Sequence, residues 1–186
     1  MNSLKYYLKS WTRGWKRLSH KDIETISSDD TAQELSGAQK SDLRLKISAF
    51  EGALHESNDQ IEIPVFHHFG KGVYAREMRM PKGSTLVGKI HKFANVNILS
   101  QGEVSILSQD GGALRVKAPY TLVAGPGAKR VFYAHSDVVW TVMHGTVETN
   151  LEKIEDEFIA KNYDEIDGLS DGDIKKLKEA KCPGQQ

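Results

Sequence analysis

The stretch from Pro81 to Val104, PKGSTLVGKIHKFANVNILSQGEV, decides the fold class. It opens on the turn signal Pro81-Lys82-Gly83 and ends just after a second one, Gln101-Gly102. Between them, β-branched and other apolar side chains alternate with polar ones, which is the period-two pattern of strands with one buried face. The stretch therefore predicts two short strands, at 85–91 and 96–99.

The same pattern continues on both sides of this stretch. Turn signals such as Asp110-Gly111-Gly112 and Gly125-Pro126-Gly127 separate the strands at a short, regular spacing. Many short strands joined by such turns are typical of an all-β sandwich or barrel, and we place this barrel at residues 58–148. The further strands are predicted at 61–65, 73–80, 103–107, 113–117, 121–123, 131–134 and 138–144.

Four segments flank the predicted barrel. Residues 1–18 carry basic and aromatic side chains at three- and four-residue steps and no acidic side chain, which predicts a basic amphipathic helix. Residues 19–41 have few large apolar side chains, so they are predicted to be a flexible linker. The apolar spacing of residues 42–57 predicts a short helix, and that of residues 149–186 predicts C-terminal helices.

The N-terminal helix is the predicted partner-binding element, because a small barrel offers its aromatic side chains no obvious surface to cover. A basic amphipathic helix docks in a protein groove, lies on an anionic membrane surface, contacts nucleic acid or packs on its own barrel. A protein partner is the preferred interpretation, and nucleic acid is disfavoured because the net charge of the chain is +0. The candidate partner-binding residues are Tyr7, Lys9, Trp11, Arg13 and Trp15.

Composition limits the class of protein. The chain has 186 residues, of which 39% are hydrophobic, and this balance indicates one globular domain with appendages. Its single cysteine, Cys182, excludes an internal disulfide and favours a reducing compartment. No apolar run reaches the ~18 residues that cross a bilayer, and no secretory signal is evident, so the predicted location is a cytoplasm.

Two motifs resemble those of the cupin superfamily of RmlC-like jelly rolls. The run from Gly88-Lys89-Ile90-His91 through Asn95 to Gly102 resembles the glycine, spaced histidines, glutamate and second glycine of the first motif. Pro126-Gly127, followed by Arg130, resembles the proline-glycine turn and histidine of the second motif. The resemblance implies an all-β, cupin-like jelly-roll barrel, to which the flanking patterns add helical N- and C-terminal extensions.

A wider run, from Phe66-His67-His68-Phe69 to Trp140, is similar to cupin-like proteins encoded by tailed bacteriophages and prophages. That similarity implies a viral protein located in the host cytoplasm or in the virion. Because cupin barrels commonly pair through edge strands or swapped arms, it also implies a homo-oligomer.

The four metal-binding positions of the cupin motifs fall on Lys89, His91, Asn95 and Arg130 in this chain. Of these, only His91 is a metal ligand, and the cations Lys89 and Arg130 would repel a divalent ion. We therefore expect no metal and no cofactor of the usual cupin kind.

The same region supplies candidate ligand-binding residues at one end of the barrel. A cation of the Lys129-Arg130 pair would bind an anion, His91 and the asparagines would form hydrogen bonds, and an aromatic ring would form a wall. The alternative is a polar barrel mouth whose groups satisfy one another. At most one of the adjacent His67 and His68 would enter the barrel, since successive side chains of a strand face opposite ways. The candidates are His91, Asn95, Asn97, Lys129, Arg130, Tyr133, Trp140 and His144.

The preferred functional hypothesis is a non-enzymatic phage protein whose barrel is a structural or interaction module. A more specific version of this hypothesis makes the protein a component of the virion. It is motivated by the lost metal ligands and by the long linker to an aromatic helix. The alternative is a small-molecule-binding protein, or an enzyme that uses a degenerate cupin site. In that alternative His91 is a general base or hydrogen-bond donor and Arg130 is an anion clamp. No residue is assigned a catalytic role.

Overall fold

A computed structural model describes residues 5–8, 20–24, 26, 36–109 and 112–167 of the chain. The helices are α1 (His20–Glu24), α2 (Gly37–His55), α3 (Leu151–Phe158) and α4 (Asp164–Asp167) within these ranges. The strands described there are β1 (Lys5–Leu8), β2 (Gln60–Glu62), β3 (Val65–Gly70), β4 (Val73–Met80), β5 (Ser84–Val87), β6 (Ile90–His91), β7 (Asn95–Gln101), β8 (Glu103–Ser108), β9 (Gly112–Lys117), β10 (Tyr120–Ala124), β11 (Arg130–Ala134), β12 (Val138–His144) and β13 (Ile159–Ala160).

Eight of these strands form a jelly roll. Taken in chain order they are β4, β5, β7, β8, β9, β10, β11 and β12, and the first pairs with the eighth, the second with the seventh, the third with the sixth and the fourth with the fifth. Such nested antiparallel pairing, folded into two sheets, is the jelly-roll arrangement. The predicted fold class, an all-β jelly-roll core with helical extensions, is confirmed.

The two main sheets face each other across the core. One has five strands in the order β10-β7-β12-β4-β3, and the other has six in the order β2-β1-β5-β11-β8-β9. Trp140 and Leu99 are fully buried between them. On the outer face of the six-stranded sheet, α1 and α2 bury Ile23 and Ile47 against Val131. This sheet is therefore covered on both faces, whereas the five-stranded sheet leaves Val123 and Val96 exposed on its outer face.

The turn between β7 and β8 requires a glycine at position 102. Its φ is +90°, in the region that favours glycine, and a Cβ there would collide with the carbonyl oxygen of Asp137. The turn brings β8 back on the opposite sheet from β7, so the close approach at Gly102 is part of how the jelly roll closes.

The predicted basic helix over residues 1–18 is wrong for the part of that segment that the structure describes. Lys5–Leu8 is the strand β1, which lies between β2 and β5 and pairs with both. Long-range pairing overrides the helical period here, because the backbone groups of β2 and β5 supply hydrogen-bond partners that local periodicity does not register. Residues 1–4 and 9–19 lie outside the described residues.

The flexible linker predicted at residues 19–41 is also partly wrong. It contains α1, and α2 begins at Gly37 and not at residue 42. The Ser36 hydroxyl accepts a hydrogen bond from the Gln39 N–H, and the Gln39 side chain accepts one from the Ser36 N–H. This capping box fixes the start of α2.

The C-terminal helices are described as far as residue 167. The first of them is α3, where Asn150 caps the helix by accepting hydrogen bonds from Glu152 and Lys153. The rest of the segment, residues 168–186, lies outside the described residues. Among the helices that are described, none is both long and apolar enough to cross a bilayer.

Candidate functional site

A cavity of about 900 Å³ lies between the two sheets at one end of the jelly roll. Helix α3 contributes Ile154 and Phe158 to its lining, so the cavity is bounded by strands and by the C-terminal helix together. The interior strands supply an apolar surface of metabolite size. The apolar lining residues from those strands include Met78, Leu86, Phe132, Trp140 and Val142.

Two histidine side chains stack on the wall of this cavity. His91 lies at the end of β6 and His144 at the end of β12, with their ring centroids 5.2 Å apart and their planes 18° from parallel. The ring of Phe158 lies 4.4 Å from that of His144. Each histidine has a buried Nδ1 atom with no hydrogen-bond partner among the described residues. Leaving such an atom unpartnered costs about 1–3 kcal/mol, so the pair favours a partner in the cavity.

Both histidines are uncharged at neutral pH. Burial is the main cause that lowers the pKa of His91 to about 3, followed by repulsion from His144 and from three nearby cations. Those cations are Arg130, Arg76 and Lys89. Burial, and then the charge of Arg76, lowers the pKa of His144 to about 4. A neutral imidazole has one donor and one acceptor, so the pair presents both kinds of hydrogen-bonding group.

Three cations act on the ring of His91, and four carboxylates also line the cavity, those of Glu62, Glu152, Glu155 and Asp156. Arg76 belongs to β4 and Arg130 to β11, and Lys89 precedes β6. Lys89 is paired with the carboxylate of Glu155 on α3. The guanidinium of Arg76 has no ion-pair or hydrogen-bond partner among the described residues, and Arg130 is only 7% exposed. Positive charge held beside neutral histidines attracts an anion.

Aromatic side chains extend this wall toward the edge of the five-stranded sheet. Tyr74 stacks on His144 at 6.4 Å, and its hydroxyl shares a 2.7 Å hydrogen bond with Nδ1 of His67. Burial raises the pKa of Tyr74 and lowers the pKa of His67, so both are neutral hydrogen-bonding groups at pH 7. His68 instead is exposed and lies 3.3 Å from Glu77. One of the two adjacent histidines thus lines the cavity and the other does not, as predicted.

The two asparagines mainly satisfy each other and the core. The Asn97 amide donates to Oδ1 of Asn95 over 2.7 Å, and the Trp140 indole N–H donates to Oδ1 of Asn97 over 3.2 Å. Asn97 lines the cavity, whereas the lining does not include Asn95. For Asn95 the structure therefore favours the alternative of polar groups that satisfy one another.

Three predicted residues in or next to β11 face different sides of the six-stranded sheet. Arg130 faces the cavity, but Lys129 lies 2.5 Å from a carboxylate oxygen of Glu51 on α2. The Tyr133 hydroxyl donates to Glu24 of α1 over 3.2 Å, on the outer face of the same sheet. Side chains alternate between faces along a strand, so Arg130 and Tyr133 point to opposite sides. Lys129 and Tyr133 are not part of the cavity.

The cavity thus collects five of the predicted ligand-binding residues and several that the prediction omits. The predicted ones are His91, Asn97, Arg130, Trp140 and His144. The omitted ones include Tyr74, Arg76 and Glu155. For Tyr74 and Arg76 a signal was present, because they lie at two-residue steps from the buried Met78 and therefore on the same face of β4. For Glu155 there was none, because no local pattern states which surface a helix covers.

The predicted partner-binding residues are not tested by this structure. Tyr7 belongs to β1. The others, Lys9, Trp11, Arg13 and Trp15, lie outside the described residues.

The positions at which cupins hold a metal ion do not suit one here. Lys89 is paired with Glu155, Arg130 adds a second positive charge, and the Asn95 amide oxygen is bonded to Asn97. No group of three or more His, Cys, Asp and Glu side chains in the described ranges is placed to hold a metal ion. These positions therefore lack the donor set that a divalent metal ion needs.

No protein-family model and no curated protein matches the chain. Similar solved structures include a cupin superfamily protein from Desulfitobacterium hafniense, with 9% identity, a TM-score of 0.39, and coverage of 45% of this chain and 76% of that one. An RmlC-like cupin family protein from Methanocaldococcus jannaschii has 14% identity, a TM-score of 0.39, and coverage of 45% and 79%. A putative ethanolamine utilization protein Q from Salmonella typhimurium has 12% identity, a TM-score of 0.40, and coverage of 47% and 72%. These likenesses concern the fold alone.

Proposed function

We propose that this protein binds a small organic anion in the cavity of its jelly roll. One observation carries the proposal: His91 and His144 are uncharged and stacked, and each has a buried Nδ1 atom with no partner among the described residues, beside the cationic Arg76 and Arg130. Folded proteins pair nearly all buried polar atoms, so unpartnered ones on a cavity wall are typical of a site that a ligand completes. This is the small-molecule alternative of the two sequence-based hypotheses.

The charges around the pair indicate the sign of the ligand. Arg76, Arg130 and Lys89 all lower the pKa of His91, which means that a positive potential already exists where its ring lies. An anion placed there gains from that potential, and an arginine donates two hydrogen bonds to a carboxylate or phosphate in a fixed geometry. Arg76 contributes most clearly, since no described residue forms an ion pair or hydrogen bond with its guanidinium.

The rest of the cavity indicates the body of the ligand. Trp140 and Phe132 meet edge to face with ring centroids 5.0 Å apart at the buried base of the cavity, and the more exposed Val65 and Leu151 add apolar surface to its lining. Ligand sites are mostly apolar, with a few polar groups that fix orientation. We therefore propose an anionic head group on an aromatic or branched apolar body.

We propose binding and not catalysis as the primary activity. A general base works best with a pKa near the working pH, whereas the pKa of His91 is about 3 and that of His144 about 4. Tyr74 has its pKa raised by burial, which makes it a hydrogen-bond donor at pH 7 and not a base.

The test is calorimetric titration of the purified protein with benzoate, and with the uncharged benzamide as a comparison. Arg76→Gln should weaken benzoate binding at least about tenfold, because a charge-assisted contact in a partly buried site is lost. Arg79→Gln is the matched control: it lies on the same strand, faces outward and pairs with Glu77 over 2.7 Å. It should leave the affinity unchanged. Equal binding of benzamide and benzoate, or no binding of benzoate or phenyl phosphate, would contradict the proposal.

The interaction role predicted from the sequence has one observation in its favour. Strand β3 is the edge of the five-stranded sheet, and its Phe66 and Phe69 are 41% and 46% exposed. An exposed edge with large apolar side chains favours pairing with another strand. We propose β3 as the contact in a homo-oligomer of this chain. The phage origin and the virion location stay predictions.

Phe66→Lys should reduce the molar mass of the oligomer to that of the monomer, as measured by size-exclusion chromatography with light scattering. A lysine at a sheet edge disfavours pairing because its charge would be buried. Val123→Lys is the control, since this 71% exposed residue lies on the opposite edge strand, β10. A monomeric wild-type protein at high concentration, or an effect of Val123→Lys alone, would refute the contact.

A further inference from the structure

We infer that Glu155 sets how strongly the site discriminates between ligands by charge: by neutralising Lys89, its carboxylate weakens the binding of dianions more than that of monoanions. The inference rests on the proposed anion-binding function and adds to it the residue that sets specificity. Neither the sequence patterns nor the resemblance to cupins assigns α3 any part in the site.

The geometry places a carboxylate inside the cation cluster. Glu155 lies on α3 and pairs with the ammonium group of Lys89, and both residues line the cavity. Their side chains are 40% and 25% exposed, so the pair is partly desolvated and its charges are only partly screened. Lys89 is also one of the cations that lower the pKa of His91, so the pair belongs to the same electrostatic environment as the histidines.

The docking of α3 holds the backbone of Glu155 beside Lys89. Lys92 donates to the carbonyl of Asp156 over 2.9 Å and pairs with Glu165 at 3.4 Å, on either side of the end of the helix. Strand β13, which follows α3 directly, pairs with β6. Phe158 packs against His144 and against Phe93. A ligand therefore meets Glu155 as a fixed negative charge.

The negative charge of Glu155 affects the binding free energy of monoanions and dianions by different amounts. With Glu155 in place, the charge of Lys89 is balanced, and Arg76 and Arg130 face the head group. A monoanion gains from these arginines and meets little repulsion. A dianion is attracted about twice as strongly by these arginines and repelled about twice as strongly by the carboxylate, so the charge of Glu155 costs a dianion about twice as much binding free energy as a monoanion. Removing the carboxylate charge should therefore favour dianions more than monoanions.

The experiment compares two ligands that share one apolar body. Benzoate is a monoanion, and phenyl phosphate is a dianion at pH 8 because its second pKa is about 6. Both dissociation constants are measured by calorimetry for the full chain, for Glu155→Gln and for Glu157→Gln. Glu157 lies on the same helix and is exposed, so its substitution changes the net charge equally without touching the site.

Glu155→Gln should tighten phenyl phosphate binding about tenfold and benzoate binding less than about threefold, because the dianion feels the removed charge twice. Glu157→Gln should change neither dissociation constant by more than about twofold, since exposed charges are screened by salt. Adding Lys89→Met to Glu155→Gln should abolish the gain for phenyl phosphate.

Two results separate failure of this inference from failure of the proposed function. If Glu155→Gln tightens both ligands equally, or tightens neither, Glu155 does not select by charge and the inference is overturned, while anion binding stands. If neither ligand binds to any of these proteins, the proposed function is refuted, and the inference falls with it.

Discussion

Between about pH 7.5 and about pH 5 the free energy of unfolding should fall by roughly 2 to 4 kcal/mol. The fall follows from the buried pair, in which the pKa of His91 is lowered to about 3 and that of His144 to about 4. In the unfolded chain both imidazoles have a pKa of about 6.5. Measuring urea unfolding at a series of pH values tests the expectation.

The sign follows from the number of protons that each state binds. Below about pH 6.5 the unfolded chain protonates His91 and His144, whereas the folded protein keeps them neutral until the pH approaches the folded-state pKa values. The unfolded state therefore gains protons first, and stability is lost as the pH falls. At pH 5 the pH lies about 1.5 units below the pKa of the unfolded chain, which corresponds to at most about 2 kcal/mol for each of the two histidines.

Other titrating groups do not reverse this trend. Burial also lowers the pKa values of His67 and His135, so they add to the loss in the same direction. Hydrogen bonds lower the pKa of Glu77 and Glu148, and their contribution is lost only as the pH falls below the ordinary carboxyl range. That range lies below pH 5, so a measurement between pH 7.5 and 5 reports mainly on histidines.

Substitution shows whether the cavity pair is the cause. His91→Gln and His144→Gln should each make the pH dependence clearly shallower, because glutamine has no charge to acquire. His68→Gln is the control, since the His68 side chain is 57% exposed. It should leave the slope unchanged. An unaltered slope in both cavity variants would show that these histidines titrate normally, and the electrostatic account of the site would then be wrong.

The positions of the strands were predictable from the sequence. Which face of each strand points into the barrel was predictable for some strands and not for others. Along β4 the buried residues lie at every second position, which identifies the inward face. Arg76 occupies one of these positions, so its inward orientation could be predicted although it is a cation. Along β11 every residue is buried, because α1 and α2 cover the outer face. Period two tells that Arg130 and Tyr133 lie on opposite faces, but no local signal tells which face is inside.

Contacts between distant segments account for the other differences. The amphipathic face of α3 is visible in the sequence, but its position over the cavity depends on Lys89 and Lys92 more than fifty residues earlier. The strand at Lys5–Leu8 likewise depends on pairing with β2 and β5. Periodicity reports a preference of the local chain, and tertiary pairing overrides that preference where the partner supplies more hydrogen bonds and buried surface.

Trp140→Ala should destabilise the protein by about 3 to 5 kcal/mol, the range found for aromatic truncation in well-packed cores. Trp140 is fully buried at the centre of the main core and packs edge to face on Phe132. Its indole N–H also donates to Oδ1 of Asn97 over 3.2 Å. The substitution therefore removes a large apolar contact and one buried hydrogen bond at once, and urea unfolding at constant pH measures the combined loss.

Trp140→Phe separates these two contributions. It retains most of the apolar ring but leaves Oδ1 of Asn97 without the indole donor, which should cost about 1 to 3 kcal/mol. Val123→Ala, at a 71% exposed position, should change stability by less than about 0.5 kcal/mol. If Trp140→Ala cost no more than Val123→Ala, the space between the two sheets would not be a packed core. The apolar surface assigned to the ligand would then lack its support, because the same indole forms part of the cavity wall.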